Sequence, residues 1–292
     1  MPELPEVETI RNGLSRFVLF KEIKKLVLLD TNLFKGAEND LLKLRKDEFS
    51  QIDRLGKALV FSFKKSEKKM IIHLKMTGQL VYFSGKNLKE QAMLAGGHSE
   101  KGQNNLDISK FKHLRLRIEF FDNSFLILND TRRFAYLKLL NIKEFEEVSG
   151  KLGVEPLSKG FSLSYFLKIL EKRKKNIKAF LLDQSFVVGM GNIYADEILF
   201  ASKLSPFRSV DSLDLKQKKV LYNNIKKILK LAIKKRGTTF SDYVDADGKS
   251  GNFSSVLKVY GRKGQKCRSC NGLVGKTKLV GRGTHYCPKC QN

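Results

Sequence analysis

The sequence predicts an α+β protein: a β-rich N-terminal half with a leading helix, then a helical half, then a small β-hairpin that carries cysteines. Three observations support this prediction. Apolar and charged side chains alternate with a period of two over residues 114–120. Apolar residues recur every three or four positions from about residue 155, and every cysteine lies after residue 266. A run of strands followed by a run of helices is typical of this class.

The N-terminal half begins with a predicted helix over residues 5–20, because Val7, Ile10, Leu14 and Val18 recur at helical spacing. Short apolar segments follow, and we expect them to form a β-sandwich: 26–29, 58–63, 70–74, 114–120 and 125–128.

A polar segment, residues 84–111, interrupts this strand pattern. It contains Gly96-Gly97 and a Gln103-Asn104-Asn105 cluster, which indicate a mobile loop. His98 in this segment could be a ligand, but a solvated loop histidine is the more common case.

The second half has helical spacing in four segments: 163–170, 177–182, 193–200 and 215–233. A glycine- and serine-rich loop, 237–253, comes before the cysteine hairpin. We therefore divide the chain into an N-terminal domain (1–140), a linker (141–154), a helical domain (155–254) and the cysteine-bearing module (255–292).

The charge balance indicates a polyanionic partner. The chain has 56 Lys and Arg against 30 Asp and Glu, a formal net charge of +26. Such a field favours nucleic acid, with an anionic membrane surface as the competing partner. Two lysine-rich helical stretches, 168–178 and 226–236, favour phosphate contacts over solvated faces.

The sequence also indicates a compartment. No apolar run approaches the roughly 18 residues of a membrane span. The acidic N-terminus has no basic segment followed by an apolar core, so no secretory signal is evident. We expect a cytosolic protein.

The cysteines have the spacing of a zinc site. Cys267-x2-Cys270 and Cys287-x2-Cys290 each direct two thiolates towards one metal ion, and together they complete a tetrahedron. Two disulfides or a redox dithiol are the alternatives. A reducing compartment argues against the first, and the doubled motif argues against the second. We expect one structural Zn²⁺ ion.

The first nine residues, MPELPEVET, could carry chemistry. If Met1 is removed, the Pro2 nitrogen becomes a secondary amine with a reference pKa near ~8, partly unprotonated at neutral pH. Its attack on a sugar C1′ would give an iminium, with Glu3 beside it to donate or accept a proton. The competing interpretation is a helix start, in which Pro5 is the first residue and Glu6 favours the positive end. The two interpretations are compatible.

Several motifs together resemble bacterial formamidopyrimidine-DNA glycosylases. They span the chain: the N-terminal nine residues, Gly189-Met190-Gly191-Asn192-Ile193-Tyr194-Ala195-Asp196-Glu197, Val259-Tyr260-Gly261-Arg262, the four-cysteine finger and Gly281-Arg282-Gly283-Thr284-His285. The resemblance implies a helix-two-turn-helix, a zinc finger, and a bifunctional DNA glycosylase/AP lyase of base excision repair. Such an enzyme excises oxidised purines (8-oxoguanine, formamidopyrimidines) through a Schiff base and then cleaves the strand by β,δ-elimination.

Catalytic roles are implied by the same resemblance. Pro2 would be the nucleophile and Glu3 the general acid/base. Lys57 would transfer protons and contact phosphate during β-elimination, although it could be an ordinary strand-end lysine. Arg282 would grip phosphate during δ-elimination, a task that suits a guanidinium.

DNA contacts are implied at seven positions: Met76, His113, Arg132, Phe134, Arg173, Lys178 and Asn192. Met76, Arg132 and Phe134 would fill the gap left by a flipped nucleotide, although the Met and the Phe could be core residues instead. Arg173 could be merely solvated. The loop 237–251 would close over the oxidised purine, where Thr238 and Thr239 offer hydrogen bonds. Glu6 would have a supporting role.

The sequence departs from the family pattern in three places. Ala135 replaces the usual glycine, Thr77 follows Met76 where relatives have Glu or Ser, and the segment 84–111 is longer than usual. Two alternatives stay open: a sister glycosylase of the endonuclease VIII group that acts on oxidised pyrimidines, and a zinc protein that binds DNA without catalysis. We expect a bacterial cytoplasmic monomer that joins the nucleoid when bound to double-stranded DNA.

Overall fold

The computed structural model describes residues 1–85, 94–98, 108–238, 243–244 and 251–291. The chain forms two compact units. The first comprises Met1–Ser149 with Lys235–Ser254, and the second comprises Gly150–Lys234 with Ser255–Asn292. Among the described residues, no helix is both long and apolar enough to span a membrane.

Helix α1 (Leu4–Val18) opens the first unit. Pro5 lies in its first turn, where the N–H that proline lacks would have no helical partner in any case. The side chains of Ile10, Leu14 and Val18 are fully buried. The helix predicted from the apolar spacing is therefore confirmed, and its buried face anchors the N-terminus to the core.

Two antiparallel sheets follow. The four-stranded sheet has the order β2-β3-β4-β9, and the six-stranded sheet has the order β1-β7-β8-β5-β6-β10. The strands are β1 (Ile23–Leu28), β2 (Phe49–Leu55), β3 (Ala58–Phe63), β4 (Lys69–His73), β5 (Gly78–Phe83), β6 (Leu94–His98), β7 (Leu114–Phe120), β8 (Phe125–Asp130), β9 (Tyr136–Leu140) and β10 (Tyr243–Val244). A short helix, α2 (Glu38–Leu42), lies between β1 and β2.

One apolar core joins the two sheets. Phe61 from β3, Ile118 from β7 and Leu14 from α1 belong to the same buried cluster. β3, β5 and β8 are buried at every position, as expected for central strands that are covered on both faces. The predicted sandwich with a leading helix is confirmed.

Strand β6 corrects the loop predicted for residues 84–111. Residues 94–97 pair with β5, and residues 97–98 pair with β10, so this part of the segment belongs to the six-stranded sheet. The glycines at 96 and 97 lack the apolar side chains that signal a strand, which explains the error. The side chain of His98 and most of the remaining segment lie outside the described residues.

The second unit contains four helices and a hairpin: α4 (Leu163–Leu170), α5 (Ile177–Leu182), α6 (Asn192–Ala201), α7 (Leu215–Lys234), β11 (Gly275–Leu279) and β12 (Arg282–Tyr286). In α7, Leu221, Ile225 and Leu229 are fully buried, whereas Lys226 and Lys227 between them are not. A further helix, α3 (Ile142–Gly150), occupies most of the segment that we expected to be a linker.

The hairpin turn between β11 and β12 consists of Val280 and Gly281, which have φ values of 46° and 74°. A two-residue turn with positive φ at both positions matches the twist of the flanking strands. The conformation suits Gly281, but it is costly for Val280 because the side chain is branched at Cβ.

Candidate functional site

The N-terminus of the first unit lies in a charged, enclosed environment. Met1 is half exposed, and Pro2 is buried. Burial lowers the pKa of the Met1 amine below its ordinary value of 8.0. The charges of Glu3 and Glu6 raise the pKa of this amine, and the charges of Lys57 and Arg132 lower it. Burial and nearby cations are the conditions that keep an amine unprotonated and nucleophilic.

Glu6 connects this N-terminal turn to the loop that begins at Gly237. Its carboxylate accepts the N–H of Glu3 at 2.9 Å and the N–H of Thr238 at 2.8 Å. Gly237 has a φ of +79°, and a Cβ at this position would lie 2.8 Å from Glu6 Oε1. Only glycine therefore allows the chain to pass so close to the carboxylate. Tyr243–Val244 and residues 251–253 of this loop are also described, whereas Thr239 and the other residues of the loop lie outside the described residues.

Lys57 lies in the turn between β2 and β3. Gly56 comes before it with a φ of 60°, which glycine adopts without strain. The Arg54 side chain donates to the Gly56 carbonyl at 2.9 Å and to Glu8 of α1 at 2.9 Å. The turn that carries Lys57 is thus tied to the helix that carries the N-terminus.

Met76, Arg132 and Phe134, which we call the wedge residues, lie together. Arg132 Nη1 is 3.4 Å from Met76 Sδ, and the Arg132 guanidinium is 5.0 Å from the centre of the Phe134 ring. Met76 is 42% exposed and Phe134 is 51% exposed, so neither is a core residue. Large apolar groups held in solvent are suited to insertion between bases.

His113 lies close to the strand that leads to the wedge. Its N–H donates to the Asn129 side chain at 3.0 Å, and its carbonyl accepts the N–H of Asp130 at 2.9 Å. The structure therefore brings Pro2, Glu3, Lys57, His113 and the wedge residues into one unit.

His73 is a candidate that the sequence interpretation missed. Burial, followed by the charges of Lys75 and Lys57, lowers the pKa of His73 to about 3. The Lys75 N–H donates to its Nδ1 at 3.0 Å, so the neutral ring carries its proton on Nε2. Its ring also packs against Tyr136, with centroids 5.3 Å apart. The sequence signal that could have identified it is a histidine at the end of a strand, three residues before Met76.

Lys178 has a different environment from the DNA contact that the resemblance implied. Its side chain is 0% exposed. The ammonium donates to Thr284 Oγ1 at 2.7 Å and to the Gly283 carbonyl at 3.1 Å, and it is 2.6 Å from Asp196 Oδ1. In this arrangement Lys178 supports the finger hairpin, and the DNA contact that the resemblance implies for it stays a prediction.

Asn192 contacts the hairpin that carries Arg282. Asn192 begins α6, and its Nδ2 donates to the Gly283 carbonyl at 2.9 Å. Arg282 comes immediately before Gly283 and is exposed. Backbone groups that contact Asn192 and Lys178 thus fix the position of Arg282, the residue expected to grip phosphate.

Two further residues of the second unit, Glu197 and Arg173, have well-defined partners. Glu197 accepts the N–H groups of Lys258, Val259 and Tyr260 at 2.9, 2.9 and 2.8 Å, which anchors the chain where it enters the finger. Burial raises the pKa of Glu197. Arg173 is exposed, and its guanidinium lies 4.3 Å from the centre of the Phe186 ring. The sequence marked Glu197 only as part of a motif.

The four cysteines fit a zinc ion. All are free thiols, and their Sγ atoms lie within 4.8 Å of one another, among them pairs at 3.9 and 3.5 Å. A tetrahedral ion with Zn–S distances of about 2.3 Å needs sulfurs about 3.8 Å apart, whereas a disulfide needs about 2.05 Å. The Ser269 N–H donates to Cys267 Sγ, an outer contact typical of metal thiolates. The finger therefore binds one structural zinc ion.

Comparison with known proteins matches three families along the chain. Residues 1–137 match the Formamidopyrimidine-DNA glycosylase N-terminal domain, 152–243 match the Formamidopyrimidine-DNA glycosylase H2TH domain, and 264–292 match the Zinc finger found in FPG and IleRS. The chain is 40% identical to Formamidopyrimidine-DNA glycosylase of Ligilactobacillus salivarius over 294 residues, covering 100% of this chain and 99% of that one.

Solved structures of Lactococcus lactis Fpg are also similar. A complex of that protein with DNA containing an abasic site has a TM-score of 0.83 at 31% identity, and the match covers 99% of both chains. A complex of the wild-type protein with DNA containing an oxidised pyrimidine has a TM-score of 0.82 at 31% identity, over 100% of both chains.

Proposed function

The chain belongs to the formamidopyrimidine-DNA glycosylase family and is a DNA glycosylase of base excision repair, and from this premise we propose that it excises oxidised purines and then cleaves the strand as an AP lyase. The proposal rests above all on Pro2, which lies in an enclosed turn where the charges of Lys57 and Arg132 act on the adjoining amine. A DNA-binding protein without catalysis has no use for such an amine.

The first step requires removal of Met1, which turns the Pro2 nitrogen into a secondary amine. Its lone pair forms a bond to C1′ of the damaged nucleotide and the C1′–base bond breaks. The base leaves with the electron pair of that broken bond and takes up a proton, while the Pro2 nitrogen releases its own proton. Glu3 donates a proton to the ring oxygen as the C1′–O4′ bond opens, which leaves a covalent iminium on Pro2. The lesion is thereby released while the sugar stays attached to the enzyme.

Strand cleavage follows from the iminium. Loss of a proton from C2′ expels the 3′ phosphate, which is β-elimination, and a second elimination expels the 5′ phosphate. We assign Lys57 to proton transfer and phosphate contact, because it lies in a fixed turn of the unit that carries Pro2. We assign Arg282 to the phosphate, since its planar guanidinium can donate two parallel hydrogen bonds to phosphate oxygens.

We assign binding of double-stranded DNA to residues of both units. The wedge residues would occupy the gap left by the flipped nucleotide, while His113, Arg173 and Asn192 would contact the backbone. The net charge of +26 supports this assignment. Several phosphate contacts also imply that affinity falls steeply as the salt concentration rises.

Borohydride trapping tests the proposal. The intact mass is measured first to confirm a Pro2 N-terminus, and the protein is then mixed with borohydride and duplexes containing 8-oxoguanine, an oxidised pyrimidine or no lesion. We expect a covalent complex with 8-oxoguanine, and none with protein that retains Met1, in which the Pro2 nitrogen is an amide. Binding without trapping by the processed wild type would favour the zinc DNA-binding alternative. Preferential trapping of the pyrimidine would favour the sister glycosylase.

We further propose the domain limits 1–140 for the catalytic domain, 141–154 for the linker, 155–254 for the helix-two-turn-helix domain and 255–292 for the zinc finger. We also propose a monomer in the bacterial cytoplasm, associated with the nucleoid when bound to DNA. The bacterial source of the relatives supports the compartment. Analytical ultracentrifugation with and without a lesion duplex tests the oligomeric state.

A further inference from the structure

Asp130, the last residue of β8, is 0% exposed. Its carboxylate binds the two loops that carry the wedge residues, the β4–β5 loop and the β8–β9 loop. One carboxylate oxygen accepts the Thr77 hydroxyl and the N–H of Arg132, the latter at 3.2 Å. The other oxygen accepts the N–H of Ala135 at 2.8 Å. The Arg132 N–H also lies 3.2 Å from the Thr77 hydroxyl, which closes a small ring of hydrogen bonds.

Arg115 holds the backbone of Asp130. The Arg115 guanidinium is buried and donates two hydrogen bonds to the Asp130 carbonyl, at 2.9 and 2.8 Å. Its third nitrogen is 3.2 Å from the carboxylate of Asp30. The Asp130 carbonyl is therefore held by Arg115, while the Asp130 carboxylate binds the loops.

Both loops need such support. Thr77 follows Met76 in the loop between β4 and β5, and the other loop, between β8 and β9, carries Arg132 and Phe134. Arg133 in that second loop has a φ of 58°, which is unfavourable for a residue with a side chain. Because Met76 and Phe134 are exposed, apolar packing does not fix these two side chains, and the hydrogen bonds to Asp130 hold the backbone next to them.

We propose that Asp130 and Thr77 form a carboxylate–hydroxyl pair that positions the wedge residues, and that this pair sets how efficiently a paired lesion is extruded from the duplex. Both are positioning residues in this assignment, which rests on the proposed function. The Thr77 hydroxyl is committed to Asp130. Position 77 therefore acts on lesion processing through the geometry of the wedge, and it does not read the damaged base.

The experiment compares three variants of the full-length zinc protein. Thr77→Val removes the hydroxyl with little change in shape, Thr77→Ser keeps the hydroxyl, and Thr131→Val makes the Val change in the same region, at an exposed residue without a hydrogen bond to Asp130. Single-turnover rates are measured for excision of 8-oxoguanine paired with cytosine and for cleavage at a preformed abasic site. The ratio of the two rates is the readout, because a general loss of folded protein lowers both rates equally.

We expect Thr77→Val to lower this ratio about tenfold, the usual effect of losing a hydrogen bond to a charged group. Thr77→Ser should recover it to within about threefold, and Thr131→Val should match the wild type. An unchanged ratio in Thr77→Val, or no recovery in Thr77→Ser, would overturn the proposal. Wild-type protein that neither excises nor traps would instead overturn the proposed function, so the two failures are distinguishable.

An Asp130→Asn variant provides a second test. Asparagine has one acceptor oxygen, so it cannot accept the N–H groups of both Arg132 and Ala135. We therefore expect the ratio to fall further than in Thr77→Val. Thermal unfolding shows whether this variant folds. If it folds and keeps the wild-type ratio, the proposal is wrong; if it does not fold, the Thr77 variants still decide the question.

Discussion

The ammonium of Lys178 lies 2.6 Å from the carboxylate of Asp196, and neither side chain is exposed. Asp196 also accepts the N–H of His285 at 2.8 Å, and Lys178 donates to Thr284. The pair thus joins α5 and α6 to strand β12 of the finger. Loss of one partner would leave the other charge buried and uncompensated, which is more costly than loss of both.

We predict that Lys178→Met lowers the free energy of unfolding by about 3–5 kcal/mol. The double variant Lys178→Met/Asp196→Leu should lose less than the sum of the two single variants, because no unpaired charge remains. Urea unfolding of the zinc-bound protein measures both quantities. Lys216→Met, at an exposed lysine of α7, is the control and should change the free energy by less than about 0.5 kcal/mol. A fully stable Lys178→Met variant would contradict the importance of the pair.

We predict that Cys287→Ser lowers DNA affinity by more than about tenfold, because zinc binding supplies most of the folding free energy of so small a module. The measurement is fluorescence anisotropy with a lesion duplex at fixed ionic strength, together with the zinc content. Ser269→Ala keeps all four ligands and the backbone N–H to Cys267, so it should bind zinc and DNA normally. Wild-type affinity in a zinc-free Cys287→Ser protein would show that the finger is not part of the DNA-binding surface.

His73 makes the stability of the first unit dependent on pH. Its pKa is about 3 in the folded protein and about 6.5 when unfolded, so between these values the unfolded chain binds a proton that the folded chain does not. Stability should therefore fall as the pH drops below 6.5, by up to about 1.4 kcal/mol per pH unit from this group. His73→Asn should show a shallower slope in urea titrations from pH 6.5 to 4.5. The two curves should be parallel above pH 7.5, and equal slopes at acid pH would rule out this role.

Val280 offers a stabilising substitution. Its φ of 46° is unfavourable for a β-branched residue, and its side chain is 47% exposed, so little packing is lost on replacement. Asn-Gly is the preferred pair in such a turn. Val280→Asn should raise the free energy of unfolding by about 1 kcal/mol, measured by thermal denaturation of the zinc protein. Val280→Thr, which stays branched at Cβ, should be close to the wild type, and a higher melting temperature for Thr than for Asn would contradict the strain argument.

Much of the fold could be predicted from local patterns. Apolar spacing identified α1, alternation identified β7, and cysteine spacing identified the zinc site, because in each case neighbouring residues carry the signal. Strand β6 escaped prediction because its glycines have no side chains to alternate. It pairs through backbone hydrogen bonds, which leave no pattern in the side chains.

The buried charges could not be predicted. Lys178 lies in a lysine-rich stretch that reads as a solvated or DNA-binding face, and its partner Thr284 is 106 positions away. Glu197 likewise binds N–H groups more than 60 positions further along the chain. Asp130 lies just beyond the predicted strand 125–128 and belongs to no motif of the sequence. Each role depends on the tertiary contacts that bring distant backbone groups to one side chain.

The burial of the N-terminal turn has a consequence for the maturation of the protein. Met1 is exposed, but Pro2, Glu3 and Leu4 are buried, and the Glu3 N–H is bonded to Glu6. An aminopeptidase must draw a free chain end into its cleft, and the folded unit does not offer one. We therefore expect the methionine to be removed before this unit folds. Under the proposed mechanism, molecules that fold before this processing would keep the Pro2 nitrogen as an amide and so lack the nucleophile.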